Sequence, residues 1–288
     1  MSIPRRQDFR CLHRLRVRWA EVDMQNIVFN GHYLMYFDTA VTDYWRALAF
    51  PYHEGMQALQ GDLYVKKSSL EYHASAELDD WLDVAMRCER VGNSSLTFSG
   101  AIFRGEQHLI TGEIIYVFAD PASQTSRPVP PVLRSMLSDF EQGARMTELH
   151  VGSWHDLQAL ASPLRQQVFV QEQGVPLDME WDAQDEAAVH AVVQNRMGMA
   201  LATGRLLSHA PGVGRIGRMA VMRHMRGSDL GHQVLQALMQ SARERGDHRV
   251  VLHAQCSAEG FYRKAGFVPH GDVFEEAGIS HIEMHRAL

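Results

Sequence analysis

The sequence predicts an α+β protein built from two dissimilar domains, and three observations carry that prediction. A long apolar helix near the N-terminus is followed by a series of strand-like segments. After about residue 145 the pattern changes to helices that alternate with strands. Between them lies the polar, proline-rich run "PASQTSRPVPPVLRSMLSDFEQGARM". We therefore expect one domain over 1–142 and a second over 143–288.

The first pattern predicts a sheet wrapped around one helix. Residues 11–19 alternate between apolar side chains and arginines, which is the period of a half-buried strand. Asn30 is a favourable N-cap residue, and an apolar stripe with helical spacing then runs over 33–48. Four segments follow that read as an antiparallel meander: "YVKKSSLEY", "LDVAMRCERV", "SSLTFSGAIFR" and "HLITGEIIYVFAD".

The second pattern predicts a mixed sheet covered by helices. A helix is expected in "SPLRQQVFVQEQ", two strands in "AVVQNRMGMALATGRLL", a strand in "RIGRMAVM", and a long helix over 230–245. A strand in "RVVLHA" and a short helix in "SAEGFYRKAG", ended by Gly266, complete the series. We find no internal repeat, so the two halves are different folds.

Composition excludes several classes of function. The 288 residues carry a net charge of −6, and both halves are mildly acidic, so we expect neither a nucleic-acid binder nor a binder of anionic membranes. The longest wholly apolar run, "IIYVFA", is too short to cross a bilayer. Three cysteines without a CxxC pair favour a reducing cytoplasm, and sixteen scattered histidines without HExxH predict no dedicated metal site.

Asp23 lies in a loop just ahead of the long apolar helix. A helix N-terminus presents unpaired N–H groups and partial positive charge, which can polarise a carbonyl and stabilise an oxyanion. A carboxylate beside such donors suits acyl hydrolysis, either as nucleophile or as a base for water. The alternative, from spacing alone, is that Asp23 only satisfies turn amides.

The stretch "EVDMQNIVFNGHYL", with "SSLEYHASAELDDWLDV" and "RPVP", resembles hotdog-fold acyl-CoA thioesterases of the hydroxybenzoyl-CoA and YbgC type over roughly the first 140 residues. The resemblance implies that Asp23 is the catalytic carboxylate and that the Asn30 amide polarises the thioester carbonyl. It also implies that His32 and Tyr33 flank the site, and that copies associate through the hotdog domain. Asn26 stands where that family usually has glycine, and asparagine tolerates left-handed backbone better than most residues.

The loop "RHMRGSDLGHQVL" has two interpretations. It can be a capped amphipathic helix, with Ser228 or Asp229 as N-cap. It can also be a loop that holds a phosphate at a helix N-terminus. As a bare pattern, the first interpretation is favoured.

Four segments favour the phosphate-binding interpretation of this loop: "RQQVFVQEQGVPLDMEWDAQDEAAVHAV", "GRIGRMAVMRHMRGSDLG", "AQCSAEGFYRKAGF" and "EEAGISHIEM". Together they resemble GNAT acetyltransferases, most closely of the ElaA type, over 145–288. The resemblance implies that loop amides cradle the pyrophosphate of acetyl-CoA, that a strand backbone pairs with the pantetheine arm, and that Tyr262 protonates the departing thiolate. From the residues alone, Tyr262 is equally well explained as an aromatic side chain packed on the helix "SAEGFYRKAG". The loop residues are Arg226, Gly227, Ser228, Asp229, Leu230 and Gly231, and the strand residues are Met219, Ala220 and Val221.

Two points stay open at this stage. Asp229 replaces the middle glycine of the family's loop, and a carboxylate near a diphosphate opposes binding. The general base of the transferase is one of Glu172, His190 and His281 by residue type only, and each could instead make a structural hydrogen bond.

We therefore expect a bifunctional protein that uses coenzyme A esters, without a metal. Its N-terminal domain would hydrolyse acyl-CoA, and its C-terminal domain would transfer acetyl from acetyl-CoA to an unknown amine. One alternative keeps only the thioesterase active and makes the GNAT domain a CoA-binding or regulatory module. Another treats the hotdog half as an assembly device.

Overall fold

The computed structural model describes residues 4–288 and divides the chain into two compact units, Met1–Met146 and Thr147–Leu288. The first unit is an antiparallel five-stranded sheet with strand order β1-β3-β4-β5-β2. Its elements are β1 (Cys11–Arg16), α1 (Asn30–Ala47), α2 (Tyr52–Ala58), β2 (Asp62–Tyr72), β3 (Trp81–Val91), β4 (Ser95–Arg104), β5 (Gln107–Ala119) and α3 (Pro131–Glu141).

Helix α1 packs directly on the middle of this sheet because two facing glycines make room for it. Gly100 of β4 pairs with Gly112 of β5. A Cβ at Gly100 would lie 2.4 Å from the Phe37 ring, and one at Gly112 would lie 2.7 Å from the same ring. Phe37 is fully buried. The predicted arrangement of one long helix against an antiparallel sheet is confirmed, although β2 pairs with β5 and not with β3, so only β3, β4 and β5 form a meander.

Two boundaries differ from prediction. The strand expected over 11–19 ends at Arg16, and Trp19–Glu21 form a 3-10 turn, because the Arg18 amide donates to the Glu21 carboxylate at 2.8 Å and closes the chain there. Asn30 is the first residue of α1 and not its N-cap, a position that Phe29 occupies.

The second unit is a seven-stranded mixed sheet with order β11-β12-β10-β9-β8-β7-β6, in which only β9 and β10 are parallel neighbours. Its strands are β6 (Thr147–Gly152), β7 (Val189–Asn195), β8 (Ala200–Ala210), β9 (Val213–Val221), β10 (Arg249–Gln255), β11 (Val268–Glu276) and β12 (Ile279–Ala287). Its helices are α4 (Trp154–Arg165), α5 (Leu177–Glu180), α6 (Leu230–Arg245) and α7 (Glu259–Lys264).

Helix α6 confirms the predicted span and packs its apolar stripe on β7, β8 and β9. Helix α4 begins earlier than the pattern suggested, because the Ser153 hydroxyl accepts the Asp156 amide as an N-cap. The chain then continues as a π-helix over Gln166–Glu172. Within residues 4–288, no helix combines the length and the apolar character needed to span a membrane.

Candidate functional site

A tight hairpin carries Asp23 to the start of α1. Val22 and Val28 form an antiparallel bridge, and the Asp23 amide donates to the Ile27 carbonyl at 2.9 Å. The Phe29 amide then donates to the Glu21 carbonyl at 2.9 Å, directly before the helix begins. The hairpin therefore leads from Asp23 directly into the N-terminus of α1.

Asn26 at the tip of this hairpin has a φ of 62°, in the left-handed region where glycine is most favourable. Asparagine is one of the few other residues that adopt this region readily, so the turn forms without glycine. The Asp23 Oδ1 accepts the Gln25 amide at 2.8 Å, which fixes the carboxylate in the turn.

Sequence reasoning missed the group beneath this hairpin. The Glu21 carboxylate is buried and accepts hydrogen bonds from the Arg18 guanidinium at 2.8 Å and from the Tyr36 hydroxyl at 2.9 Å. Burial acts to raise the pKa of Glu21, but these hydrogen bonds outweigh it and hold the pKa below its usual range. The anchored carboxylate ties the loop to α1, and the E-x-D spacing was the signal that could have found it.

The other predicted residues of the first unit occupy the first turn of α1. Asn30 is the first helical residue, so its amide belongs to the group without an intrahelical acceptor. The ring of His32 lies edge-on to Phe29 at 5.9 Å and is half-buried. The Tyr33 hydroxyl is buried and accepts a hydrogen bond from the Ala76 amide at 2.9 Å, so Tyr33 links the first turn of α1 to the backbone at Ala76.

In the second unit, the two parallel strands of the sheet part from one another. They pair only from Val213 to Arg215 on β9 and from Arg249 to Val251 on β10. Beyond this point a cleft of about 220 Å³ is lined by both strands. An extended ligand that entered the cleft could pair with strand backbone that has no neighbouring strand on that side.

A β-bulge shapes one wall of the cleft. Thr203 pairs with Ala220 and Arg205 pairs with Gly217, so β9 has one more residue than β8 over this interval. Arg218 in the bulge has a φ of 51°. The bulge interrupts the β8 ladder beside Met219, which lines the cleft, and Ala220 and Val221 follow it along the strand.

Tyr262 of α7 lines the same cleft. Its side chain is buried, with ring contacts to Phe261 at 4.9 Å and to Phe267 at 5.9 Å. Burial raises the pKa of Tyr262 to about 12, so the hydroxyl keeps its proton at neutral pH. The residue can therefore donate a hydrogen bond to a group in the cleft.

Charged and histidine side chains that the predictions had not grouped line the cleft as well. The His253 Nδ1 lies 3.0 Å from the Glu276 carboxylate and 3.1 Å from the Arg215 guanidinium. Burial acts to raise the pKa of Glu276, but the His253 hydrogen bond and the nearby positive charges lower it below the usual range. His281 of β12 also lines the cleft.

The predicted phosphate loop, residues 226–231, leads into α6. Asp229 is exposed, occupies the N-cap position with φ 63° and ψ 0°, and makes no side-chain capping hydrogen bond. Gly227 also has positive φ, at 85°. The backbone therefore has the conformation that glycine favours, and aspartate replaces glycine here without changing that conformation. The amides of Leu230 and Gly231 belong to the first turn of α6 and lack intrahelical acceptors.

The structure separates the three candidate bases. The Glu172 carboxylate binds the Arg226 guanidinium in bidentate fashion at 2.7 and 2.8 Å, so it is already paired with the predicted phosphate loop. His190 is buried, its Nε2 donates to the Asp185 carbonyl at 2.9 Å, and burial lowers its pKa. Of the three, His281 is the one that lines the cleft.

A buried charge network holds the segment beside the cleft, and sequence reasoning missed it. The Arg165 guanidinium contacts the Glu180 carboxylate at 2.5 Å and the Asp185 carboxylate at 2.8 Å. It also lies over the ring of Trp181 at 4.7 Å. All three charged residues are almost fully buried.

Two more arginines complete the network. Arg205 of β8 binds Asp182 at 2.7 Å and Asp185 at 2.7 Å. Arg218 in the bulge binds the Met179 carbonyl at 2.9 Å and the Glu180 carboxylate at 3.1 Å. Three cations thus balance three carboxylates. The described part of the chain holds no group of three or more side chains suited to a metal ion.

Two protein families match the two units. The family described as "Thioesterase superfamily" matches 25–111, and the family described as "Acetyltransferase (GNAT) domain" matches 161–288. "Acyl-CoA thioester hydrolase YbgC" of Escherichia coli O6:H1 is 28% identical over 132 residues, which cover 44% of this chain and 93% of that protein.

Relatives of the second unit are also matched over most of their own length. "Uncharacterized N-acetyltransferase YjcF" of Bacillus subtilis is 33% identical over 122 residues, which cover 42% of this chain and 86% of that protein. The crystal structure of Escherichia coli ElaA has a TM-score of 0.45 and 28% identity, and covers 49% of this chain and 99% of that chain.

Proposed function

This chain belongs to the GNAT acetyltransferases through its C-terminal half and carries a thioesterase-superfamily domain in its N-terminal half, and from that premise we propose that it is a bifunctional enzyme of CoA thioesters. The first unit hydrolyses an acyl-CoA. The second transfers the acetyl group of acetyl-CoA to an amine. The observation that carries the proposal is the cleft where β9 and β10 part, because its wall combines strand backbone with a buried tyrosine.

In the second unit, acetyl-CoA enters between the diverging strands. The backbone of Met219, Ala220 and Val221 pairs with the amide groups of the pantetheine arm. The amides from Arg226 to Gly231 face the pyrophosphate at the N-terminus of α6, where the helix dipole favours negative charge. An amine then attacks the acetyl carbonyl, and Tyr262 donates its proton toward the departing sulfur.

The test of acetyl transfer is release of CoA thiol that requires an amine. A panel of primary amines with acetyl-CoA is compared for the wild type and for Tyr262→Phe. We expect the variant to lose roughly 100-fold in kcat, since the proton donor to the leaving group is removed, while acetyl-CoA binding stays intact. Equal rates for the two proteins would refute the role of Tyr262.

In the first unit, the thioester carbonyl oxygen points to the start of α1. The Asn30 amide and the helix dipole stabilise the oxyanion that forms on the carbonyl. Asp23 attacks the carbonyl carbon or activates a water molecule for that attack. His32 and Tyr33 form the surroundings of the reacting group, and the buried Glu21 holds the hairpin in place.

The test of hydrolysis is thiol release from a panel of acyl-CoAs without any amine. Asp23→Asn keeps the Oδ1 that accepts the Gln25 amide, so the hairpin is preserved while the carboxylate is lost. We expect hydrolysis to fall by about 100-fold or more, and amine-dependent acetyl transfer to stay at the wild-type rate. Unchanged hydrolysis would refute the catalytic role and favour the assembly interpretation.

A second candidate function for the C-terminal unit is a non-catalytic CoA-binding or regulatory module, and Asp229 is the observation that favours it. Its exposed carboxylate precedes α6 where the proposed diphosphate site lies. Binding of acetyl-CoA without amine-dependent release by any amine of the panel would support the module over the transferase.

We further propose that copies of the chain associate through the edge strand β2. This strand is 11 residues long, lies at the end of the first sheet, and exposes Tyr64, Val65 and Tyr72. Long edge strands with exposed apolar side chains are templates for pairing. Light scattering of the wild type and of Val65→Asp tests this, since the charge is expected to shift a dimer toward monomer.

A further inference from the structure

The cleft of the second unit holds a histidine whose ring orientation is determined by its neighbour. The His281 Nδ1 lies 2.8 Å from the Ile279 carbonyl oxygen. A carbonyl oxygen only accepts hydrogen bonds, so Nδ1 is the protonated nitrogen. In the neutral ring, Nε2 then carries the lone pair, and a lone pair on the wall of the cleft is what proton abstraction requires.

The other acid–base groups that line the cleft are less suited to that task. The Glu180 carboxylate is buried, and its negative charge is already balanced by the guanidinium groups of Arg165 and Arg218. The Glu276 carboxylate accepts from His253, which makes it a weaker proton acceptor. The His253 Nδ1 already lies 3.0 Å from the Glu276 carboxylate and 3.1 Å from the Arg215 guanidinium, so that nitrogen is occupied.

The surroundings of His281 orient its ring in the cleft and place a carboxylate on the same wall. Its ring stacks on Phe274 at 6.0 Å, and it faces Gln255 across the β10–β12 pair. The Glu276 carboxylate, which interacts electrostatically with His281, lines the same cleft. A carboxylate in this cleft can receive the positive charge of an incoming ammonium ion.

We propose that His281 is the general base of the acetyl transfer and that the acceptor is an amine that arrives as an ammonium ion, with Glu276 as the carboxylate that receives its charge. The inference rests on the proposed acetyltransferase function. Of Glu172, His190 and His281, His281 is then the residue that takes the proton.

The proton balance of the step is complete with these residues. Nε2 of His281 takes one proton from the ammonium ion and leaves a neutral amine. The nitrogen lone pair forms the C–N bond to the acetyl carbon, and the C–S bond breaks with its electron pair on sulfur. Tyr262 gives its proton to sulfur and regains one from the new amide nitrogen. The imidazolium releases its proton to solvent.

The experiment compares two acceptors that differ in basicity. Each is assayed with acetyl-CoA and the full-length protein: the alkylamine that the wild type uses best, and the O-alkylhydroxylamine with the same alkyl group, which is largely unprotonated at neutral pH. The variants are His281→Gln and His253→Gln. The control is His285→Gln, four residues along β12 and beside His270. Calorimetry measures acetyl-CoA binding for each protein.

We expect His281→Gln to lower kcat/KM by about 100-fold or more for the alkylamine and by less than about 10-fold for the O-alkylhydroxylamine, because the latter needs no proton removed before attack. Acetyl-CoA affinity should stay at the wild-type value. His253→Gln should lower both rates to a similar extent, and His285→Gln should change neither.

Three outcomes would overturn the inference. An equal loss for both acceptors in His281→Gln would assign that residue a structural role. An acceptor-dependent loss in His253→Gln and not in His281→Gln would move the base to His253. If the wild type bound acetyl-CoA but released no thiol with any amine, the acetyl-transfer function itself would be refuted, and the inference with it.

Discussion

Replacement of Asp229 by asparagine separates the charge of this residue from its backbone conformation. Asparagine tolerates the φ of 63° found here about as well as aspartate does, so the loop keeps its shape. Only the negative charge is removed. Asp229→Asn therefore tests whether the carboxylate opposes binding of a diphosphate at the N-terminus of α6.

The expected gain follows from Coulomb's law. Two unit charges about 5 Å apart in water repel by about 0.8 kcal/mol, and an exposed side chain such as Asp229 is close to that limit. A diphosphate with two charges doubles this to about 1.7 kcal/mol. Since about 1.4 kcal/mol is tenfold in affinity, acetyl-CoA should bind between about 4-fold and about 20-fold more tightly.

The same substitution should lower stability. An acidic residue at a helix N-terminus contributes about 0.3–1 kcal/mol through the helix dipole, and Asp229→Asn removes it. Affinity and stability are thus expected to change in opposite directions. A general improvement in folding would move both the same way.

Isothermal titration calorimetry of the full-length protein with acetyl-CoA measures the affinity in low salt and in about 1 M salt, where the Debye length falls to about 3 Å. The difference between variant and wild type should nearly vanish at high salt. Any CoA binding by the first unit is common to both proteins and cancels. An affinity that is unchanged at low salt would refute the electrostatic reasoning and place the diphosphate elsewhere.

Three further substitutions test the fold. Gly100→Ala puts a methyl group 2.4 Å from the Phe37 ring and should lower the free energy of unfolding by about 1–3 kcal/mol in urea, whereas Gly260→Ala, with open space at its Cβ, should be close to neutral. Arg165→Met removes one of the two guanidinium partners from each of the buried Glu180 and Asp185 carboxylates and should cost about 3–5 kcal/mol; a cost below about 1 kcal/mol would contradict the network. Burial lowers the pKa of His190 from 6.5, so the unfolded chain takes up the proton first and stability falls as the pH drops below 6.5. His190→Gln should flatten this slope in Tm between about pH 8 and pH 5, and parallel slopes would exclude His190 as its source.

Periodic features were the easiest to predict from the sequence. The stripe over 230–245 predicts α6 with its observed bounds, because an amphipathic helix must turn one face to the sheet. The long helix α1 and the strands of the first unit follow in the same way, whereas the pairing of β2 with β5 was not predicted. The start of α1 was one residue off, since Phe29 rather than Asn30 occupies the cap.

Groups that assemble from distant segments could not be predicted. Arg165, Glu180 and Arg205 lie on three different elements, and charged residues are usually solvated, so their burial depends on tertiary pairing. One signal was present: Arg205 stands inside "LATGRLL", an otherwise apolar strand segment. Likewise, His281 and Tyr262 line one cleft only because β9 and β10 part, which no local pattern encodes.

The arginines of the charge network also restrain one wall of the cleft. Arg218 ties the Met179 and Glu180 backbone to the bulge, and Glu180 is held in turn by Arg165. Detaching this segment would strand buried charges, so its local opening costs nearly as much as unfolding the unit. Amide hydrogens within 179–185 that donate hydrogen bonds should therefore exchange with solvent at the rate of global unfolding, and this wall of the cleft should keep its shape when a ligand enters.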